Sequence, residues 1–402
     1  MNNGQLYQSE LLGASKTPTG NSRKGNQLLR LIRAAQPRTR TDIAARLSID
    51  KSTVTENVKP LIAQGILREE SLAAEGLKRR SRVLSFADDD AYFIGVNLGV
   101  RRSQVGLTTL RGEITDETDF ETPKTASYAL RLAREQVDNL VRKYPEKRLA
   151  VIGASLPGMV DPRREKLIFA PNLDWKDIDV AGAVRVHENT RVVVENDSTA
   201  AAMYEARLKI RNSDDGLITN FILVRSGTGI GVGLVIGSEV YRGTGAGRGI
   251  AGEFGHMTIV ANGKSCVCGN RGCWEKYASA AAAASLYLGD RPPSAGETVP
   301  RFVEIVSKAE VGDVRSKKTL EKIGDYLGIG IANVIMGIGI PRVIISGRLV
   351  YGWKFIEEPL NAAIRRSIIG RIDGWSVEAG EPVGSAIGGA LEVAVEEYLS
   401  TL

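Results

Sequence analysis

Two hydrophobic periods organise this 402-residue chain, one of about 3.6 residues and one of two. Residues 1–21 follow neither and are rich in Asn, Gly, Ser and Thr, which predicts a flexible tail. From Ser22 a helical period runs through Leu28, Leu29, Leu31 and Ile32. Two short helices are then expected. Thr41 is placed to cap one carrying Ile43, Ala44 and Leu47, and the next carries Val54, Val58, Leu61 and Ile62. Only Ser48-Ile49-Asp50 separates them, the spacing of a helix-turn-helix. An ordinary helical hairpin is the simpler reading of such a pair. The polar positions favour DNA instead: Lys51, Ser52, Thr53, Thr55 and Asn57 lie where a recognition helix reads base edges. Arg38 and Arg40 precede them, placed for phosphate. Lys78, Arg79 and Arg80 lie in a basic hairpin-like segment suited to a wing on the DNA backbone. Pro60 is expected to kink the second helix near its end.

Past Asp88-Asp89-Asp90 the period shortens to two. Residues 91–123 read as strands with a turn at Arg111-Gly112, and residues 127–143 as an amphipathic helix with Leu130, Ala133, Val137 and Leu140 on one face. LAVIGASL is a buried strand entering a loop at Pro157-Gly158. RVVVEND is a strand that stops at Glu195-Asn196-Asp197 and turns into an alanine-rich helix. Gly227, Gly229, Gly231 and Gly233 recur at every second position. A dinucleotide fingerprint needs a helix after such glycines, whereas a β-rich run and a Gly237-Ser238 hairpin turn follow here. Helices are further expected over 278–289, 298–310, Lys317 to Met336 and 385–400, with a strand in PRVIISG. The fold class is α/β, with a helical head at 22–86 and two successive strand–helix sets over 87–402.

Charge divides the chain at the same place. Residues 1–86 hold 15 Lys/Arg against 7 Asp/Glu, and the remainder 38 against 40, within a net charge of +6. A basic head on a near-neutral body points to a polyanion partner for the head alone. No run of eighteen apolar residues and no signal-peptide core is present, so a membrane span is not expected. Three cysteines without a disulfide framework fit the cytoplasm.

All three cysteines and one of the two histidines fall within eighteen residues. His256, Cys266, Cys268 and Cys273 form the Cys3His set of a structural Zn2+ site, and the glycines at 263, 269 and 272 let the segment fold back on itself. Glu253 and Glu275 bracket the site. Neither fits among four soft ligands, which leaves both free to accept hydrogen bonds. His187 has no motif around it and is expected on the surface.

The block GEFGHMTIVANGKSCVCGNRGCWE resembles the signature of the ROK family of repressors and sugar kinases. The resemblance implies a two-lobed actin-like ATPase (sugar kinase) fold over 87–402, with the structural zinc loop at 253–275, behind a winged helix-turn-helix at 22–86. It also implies a sugar site formed by Asn196, Asp197, Glu253, His256 and Glu275, with Asp197 at the position of the family's general base. An isolated Asn-Asp would otherwise be read as a helix cap. Where the family's kinases keep Asp-x-Gly-Gly-Thr at a phosphate turn, this chain has Asn97-Leu98-Gly99-Val100-Arg101. A carboxylate and a glycine are lost, and valine is poorly suited to a positive-φ turn.

The expected function is therefore a sugar-responsive regulator, a repressor of carbohydrate-utilisation genes, that binds its effector without phosphorylating it. The partners expected are a double-stranded DNA operator, a sugar or sugar derivative, and a second copy in a homodimer or homotetramer. One alternative is an active sugar kinase with an appended DNA-binding domain. Another is a DNA-binding regulator controlled by a protein partner.

Overall fold

The computed structural model describes residues 20–34, 38–72, 81–87, 90–212, 218–244, 249–382 and 384–402. The chain divides into two compact units, Met1–Ala87 and Asp88–Leu402. The expected tail over 1–21 falls almost entirely outside the described residues, as do Lys78, Arg79 and Arg80.

The first unit contains α1 (Gly20–Ala34), β1 (Arg38–Thr39), α2 (Arg40–Leu47), α3 (Lys51–Ala63), β2 (Leu67–Leu72) and β3 (Ser81–Phe86). Leu28, Leu29, Leu31 and Ile32 of α1 are buried, as are Ile43, Val54, Val58, Leu84 and Phe86. The three strands form an antiparallel sheet in the order β1-β3-β2, which completes a winged helix-turn-helix. Thr39 caps α2, two residues before the Thr41 expected. Its hydroxyl accepts from the Asp42 amide while the Asp42 carboxylate accepts from the Thr39 amide, both at 3.1 Å. A capping box needs its acceptor side chain three residues after the cap; Thr39 has Asp42 there, whereas Thr41 has Ala44. Ser48 takes the left-handed conformation that closes the turn, and Pro60 sits inside α3, on its exposed side.

The second unit is built from two five-stranded sheets. The first set comprises β4 (Ala91–Leu98), β5 (Arg102–Thr109), β6 (Ile114–Glu121), α4 (Ala126–Lys143), β7 (Arg148–Leu156), the short antiparallel trio β8 (Met159–Val160), β9 (Lys166–Ala170) and β10 (Trp175–Asp179), α5 (Val180–Val184), β11 (Arg191–Asn196) and α6 (Asp197–Asn212). The second comprises β12 (Phe221–Ser226), β13 (Ile230–Ile236), β14 (Glu239–Tyr241), α7 (Glu275–Ala278), α8 (Ala282–Tyr287), α9 (Phe302–Glu310), α10 (Val314–Ile338), β15 (Arg342–Gly347), α11 (Trp353–Arg365), β16 (Ser376–Ala379) and α12 (Ser385–Leu399). The sheet orders are β11-β7-β4-β5-β6 and β14-β13-β12-β15-β16. In each, an antiparallel meander of three strands is extended by two parallel strands beside its first member. The topology is thus duplicated, although no short sequence period announces it.

Several helices differ from expectation. The helix expected over 278–289 is split, because Ser279 is extended and its hydroxyl accepts from the Ala282 amide at the start of α8. The one expected from 298 begins only at Phe302: Pro300 disfavours helical geometry at Val299, and the Arg301 amide is tied to Glu304. α10 extends past both expected ends, from its Asp313 cap to Gly339 in the left-handed conformation. α11 and β16 occupy a stretch where the pattern raised no expectation; Pro359 interrupts the helical signal of α11.

Glycines bring α12 against the first sheet. A β-carbon at Gly153 would lie 2.3 Å from the Ala390 carbonyl oxygen, so only glycine permits this approach. Charged groups buried nearby are paired. Glu195, at the end of β11, accepts from Arg242 at 2.6 Å and faces Arg164 at 3.2 Å. Arg164 and Arg191 both reach Glu397 of α12, and Arg207 of α6 donates to Glu392 at 2.8 Å. Burial alone would raise the Glu195 carboxyl, but Arg242 and Arg164 outweigh it and hold it below the ordinary value of 4.5. No described helix is long and apolar enough to cross a membrane.

Glu195 fixes the strand end that carries Asn196 and Asp197. Replacing one partner of such a buried pair leaves the other charge uncompensated, so Glu195→Ala should lose about 3–5 kcal/mol. Urea unfolding of the full chain, followed by tryptophan fluorescence, measures this. Because the folded-state carboxyl is depressed, its contribution should be present above pH 4.5 and lost as pH falls below it. A Glu195→Ala protein as stable as the parent at pH 7 contradicts the assignment.

Candidate functional site

In the first unit α3 presents Lys51, Ser52 and Glu56 to solvent, whereas Thr53, Thr55 and Asn57 are half-buried. The Thr55 hydroxyl donates to the Lys51 carbonyl oxygen at 2.9 Å and accepts from Arg40 at 3.2 Å. Arg40 also pairs with Glu69 of β2 at 3.3 Å. The Asn57 amide donates to the Thr53 carbonyl oxygen at 2.8 Å. Lys51 and Ser52 are therefore the expected base-reading residues that stand most open. Arg38, in β1, and Arg40, the first residue of α2, are half-buried.

In the second unit the carboxyl ends of the parallel strands in both sheets line one cleft of about 440 Å³. From the first sheet come the β4–β5 turn, the Pro157-Gly158 loop after β7, and Asn196-Asp197 after β11. From the second come the Gly227–Gly229 turn after β12 and Gly347-Arg348 after β15. Ligands bind at such carboxyl ends in open α/β sheets. Asn196, Asp197, Glu253, His256 and Glu275 all line this cleft.

Their environments differ. The Asn196 side-chain oxygen caps α6 by accepting from the Ser198 and Thr199 amides at 2.8 and 3.2 Å. Its amide donates to the Gly158 carbonyl oxygen at 3.0 Å. Asn196 thus acts as a helix cap and a loop anchor while facing the cleft. Asp197 accepts from Ser198 at 3.2 Å and from Arg225 of β12 at 2.6 Å. Burial, with Asp197 and Glu275 alongside, pushes the Glu253 carboxyl up to about 7. A divalent cation at the neighbouring cluster would act in the opposite direction.

That cluster is His256, Cys266, Cys268 and Cys273, whose donor atoms all lie within 4.8 Å of one another. Cys268 and Cys273 sulfurs are 3.7 Å apart, and Cys266 sulfur is 3.6 Å from His256 Nδ1. Two sulfurs bound tetrahedrally at about 2.3 Å stand about 3.8 Å apart, so these residues fit a four-coordinate metal. Burial pushes the Cys266 and Cys273 thiols up, and a cation supplies the charge that lets them bind as thiolates. His256 Nε2 instead faces Glu253 at 3.8 Å, so one ring nitrogen can serve the metal side and the other the cleft. Glu275 is buried, with an oxygen 3.2 Å from the Cys266 sulfur. The loop is pinned from below by fully buried Trp274, which donates to the Tyr326 carbonyl oxygen at 2.9 Å.

The glycine run serves packing. A β-carbon at Gly231 would meet the Ser198 hydroxyl at 1.8 Å, and one at Gly233 would meet Ala202 at 2.5 Å. Gly229 leaves room for Glu275, whose carboxylate would be 2.3 Å from an added β-carbon. At the β4–β5 turn, Asn97 is buried. It accepts from Ser155 at 3.2 Å and donates to Gln104 at 3.4 Å. Neither Gly99 nor Val100 takes a positive φ there, and Arg101 is exposed. His187 is exposed, as expected.

Sequence reasoning missed four residues. Asn172 lines the cleft beside Gly229, and Asn270 braces the metal loop by donating to the His256 carbonyl oxygen at 3.2 Å. Arg225 and Arg348 also line the cleft. A signal for Arg225 was present, since it is the one charge in the strand FILVRS.

The family model described as ROK family matches residues 93–390. A xylose repressor of Bacillus subtilis is 29% identical, over 87% of this chain and 89% of its own length. The crystal structure of a ROK family transcriptional regulator, a homolog of the E. coli MLC protein, superposes with a TM-score of 0.74 at 22% identity, covering 94% of this chain and 97% of that one. A ROK family glucokinase from Streptomyces griseus, in complex with glucose and AMPPNP, has a TM-score of 0.63 at 26% identity, covering 76% of this chain and 99% of that one. With a match spanning most of its length, this chain belongs to the ROK family.

Proposed function

We propose that the protein is a sugar-responsive transcriptional repressor whose kinase-like cleft binds its effector without phosphorylating it. The observation that carries this reading is the Arg225–Asp197 pair at 2.6 Å. A general base must reach the hydroxyl proton it removes, and here one Asp197 oxygen is held by the Arg225 guanidinium and the other by the Ser198 hydroxyl. Phosphoryl transfer also depends on aligning the phosphates and their metal. Asn97 offers an amide, already bonded to Ser155 and Gln104, where a carboxylate would help hold that metal. Hydroxyl recognition needs neither feature. Asp197, Glu253 and Glu275 supply acceptors, with His256 and Asn172 beside them. The relatives named as xylose repressors support a DNA operator as the partner of the first unit.

The metal we assign is zinc, on the Cys3His donor set. Elemental analysis of protein purified without added metal should return about one zinc per chain. Cys268→Ser should lose it, and sugar binding should weaken, because the loop also carries Glu253 and Glu275. A metal-free protein that still binds its sugar contradicts this assignment.

For the first unit, Ser52→Ala and Thr53→Ala should cost about 1–3 kcal/mol on the preferred operator and less on random DNA. Arg79→Ala and Arg80→Ala should weaken both alike and flatten the salt dependence. Fluorescence anisotropy on the two DNAs separates these outcomes; equal losses from both sets contradict the groove assignment.

For the cleft, Asp197→Ala should abolish the sugar response while leaving ligand-free operator binding nearly unchanged. A coupled assay should detect negligible sugar-dependent ADP release. Turnover of about 1 s⁻¹ or more, the ordinary kinase range, would make the protein an active kinase.

A further inference from the structure

Arg40, the first residue of α2, stands where a cation opposes the positive end of the helix dipole. Its guanidinium is engaged inside the unit. Nη1 donates to the Thr55 hydroxyl of α3 at 3.2 Å, Nη2 donates to Glu69 Oε2 of β2 at 3.4 Å, and Nε lies 3.3 Å from Glu69 Oε1. One planar group thus ties three elements together, in the fork geometry that suits a carboxylate. The Arg40 and Glu69 side chains are only 21% and 18% exposed. Arg82 of β3, far more exposed, stands 3.8 Å from the same carboxylate. Thr55 has given its own proton to the Lys51 carbonyl oxygen at 2.9 Å, so none is left for a base. Among the described residues its bond with Arg40 is the one by which an α3 side chain reaches another element, since Asn57 bonds within the helix. Asp50 makes no side-chain capping bond at the amino end of α3. Burial through Val54 and Val58 holds the helix down without direction, whereas the guanidinium fork fixes an angle.

Resting on the DNA-binding reading above, we propose that Arg40 and Glu69 are positioning residues for base readout. They set the angle of α3 against the β2–β3 pair and touch neither phosphate nor base. The place of Arg40 just ahead of α3 suggests a phosphate contact, but its charge is already compensated by Glu69. Through Thr55 the fork holds the part of α3 that presents Lys51, Ser52 and Glu56 to solvent. A hydrogen bond to a base edge weakens steeply when its angle is wrong, whereas attraction to the phosphate charge does not depend on that angle. Losing the fork therefore lowers discrimination between sequences more than it lowers affinity for DNA in general. The sign is diagnostic at Glu69. Removing a negative charge from a DNA-binding unit tightens binding to all sequences if charge is its whole role, and loosens operator binding if it holds the helix.

Fluorescence anisotropy on the full chain tests this with two duplexes: one carries the sequence that the parent protein selects from a randomised library, the other the same bases shuffled. Arg40→Ala and Glu69→Ala should each lower the ratio of the two affinities about fivefold or more. The double variant should lose no more than the larger single loss, because the two groups act as one unit. In Arg40→Ala the salt slope on the shuffled duplex should stay that of the parent. Arg40→Lys keeps the charge, and with it a partner for Glu69, but has no fork. It should fold as the parent does by circular dichroism and still lose the ratio. A salt slope shallower by about 0.9 in Arg40→Ala, restored in Arg40→Lys, makes Arg40 a phosphate contact and overturns the inference. Equal change on both duplexes in Glu69→Ala, in either direction, leaves that residue a charge or a structural role only and overturns it too. So does a parental ratio in Arg40→Lys. These three results leave the DNA-binding reading intact. If the parent selects no sequence at all, that reading falls and the inference with it.

Discussion

A carboxylate and a guanidinium, Asp197 and Arg225, meet 2.6 Å apart between the two α/β halves. Asp197 opens α6 at the end of the first sheet, and Arg225 lies on β12, in the second. Each sheet brings its parallel strands to the same cleft, so the pair stands where their carboxyl ends converge. It ties the two sheets together across the cleft and occupies one of the two Asp197 carboxylate oxygens. The sensor reading depends on this contact more than on any single departure in the β4–β5 turn.

What holds the pair in place is close packing. α6 approaches β13 because Gly231 and Gly233 carry no side chain, and α12 approaches β7 for the same reason at Gly153. Glu195, immediately before Asn196, is clamped by Arg164 and Arg242, and Arg164 is clamped in turn by Glu397. The metal loop completes the opposite wall. Its four donors gather within 4.8 Å, and Glu275 lies against one of them, so a metal held there would be mechanically linked to the position of the Glu275 carboxylate.

The legibility of these features from sequence follows their range. Strands and long amphipathic helices were readable because their period is local: the faces of α1 and α4 are buried at the residues expected, and that of α3 at Val54, Val58 and Leu61, with Ile62 half-buried. The Cys3His set was readable because its ligands are close in sequence. Boundaries set by one hydrogen bond were not. The cap at Thr39 turns on the choice between Asp42 and Ala44, and the break at Ser279 on a single hydroxyl. Contacts of long sequence separation were invisible as well. Asp197 meets Arg225 across 28 positions, and the cleft is lined by residues as far apart as Arg101, Arg225 and Arg348, which no spacing rule connects. Two successive strand–helix sets were legible, but their common strand order was not, for a related reason. It is shared by the two halves while the residues filling them differ.

The most direct test is the operator affinity of the metal-loaded protein, measured by fluorescence anisotropy with and without sugar ligand, in the complete absence of nucleotide. A ligand can change that affinity only by binding two states unequally, and ordinary coupling is about 5- to 150-fold. A change of that size without nucleotide is the predicted result. A change that appears only when ATP is present, accompanied by ADP release, would contradict the account.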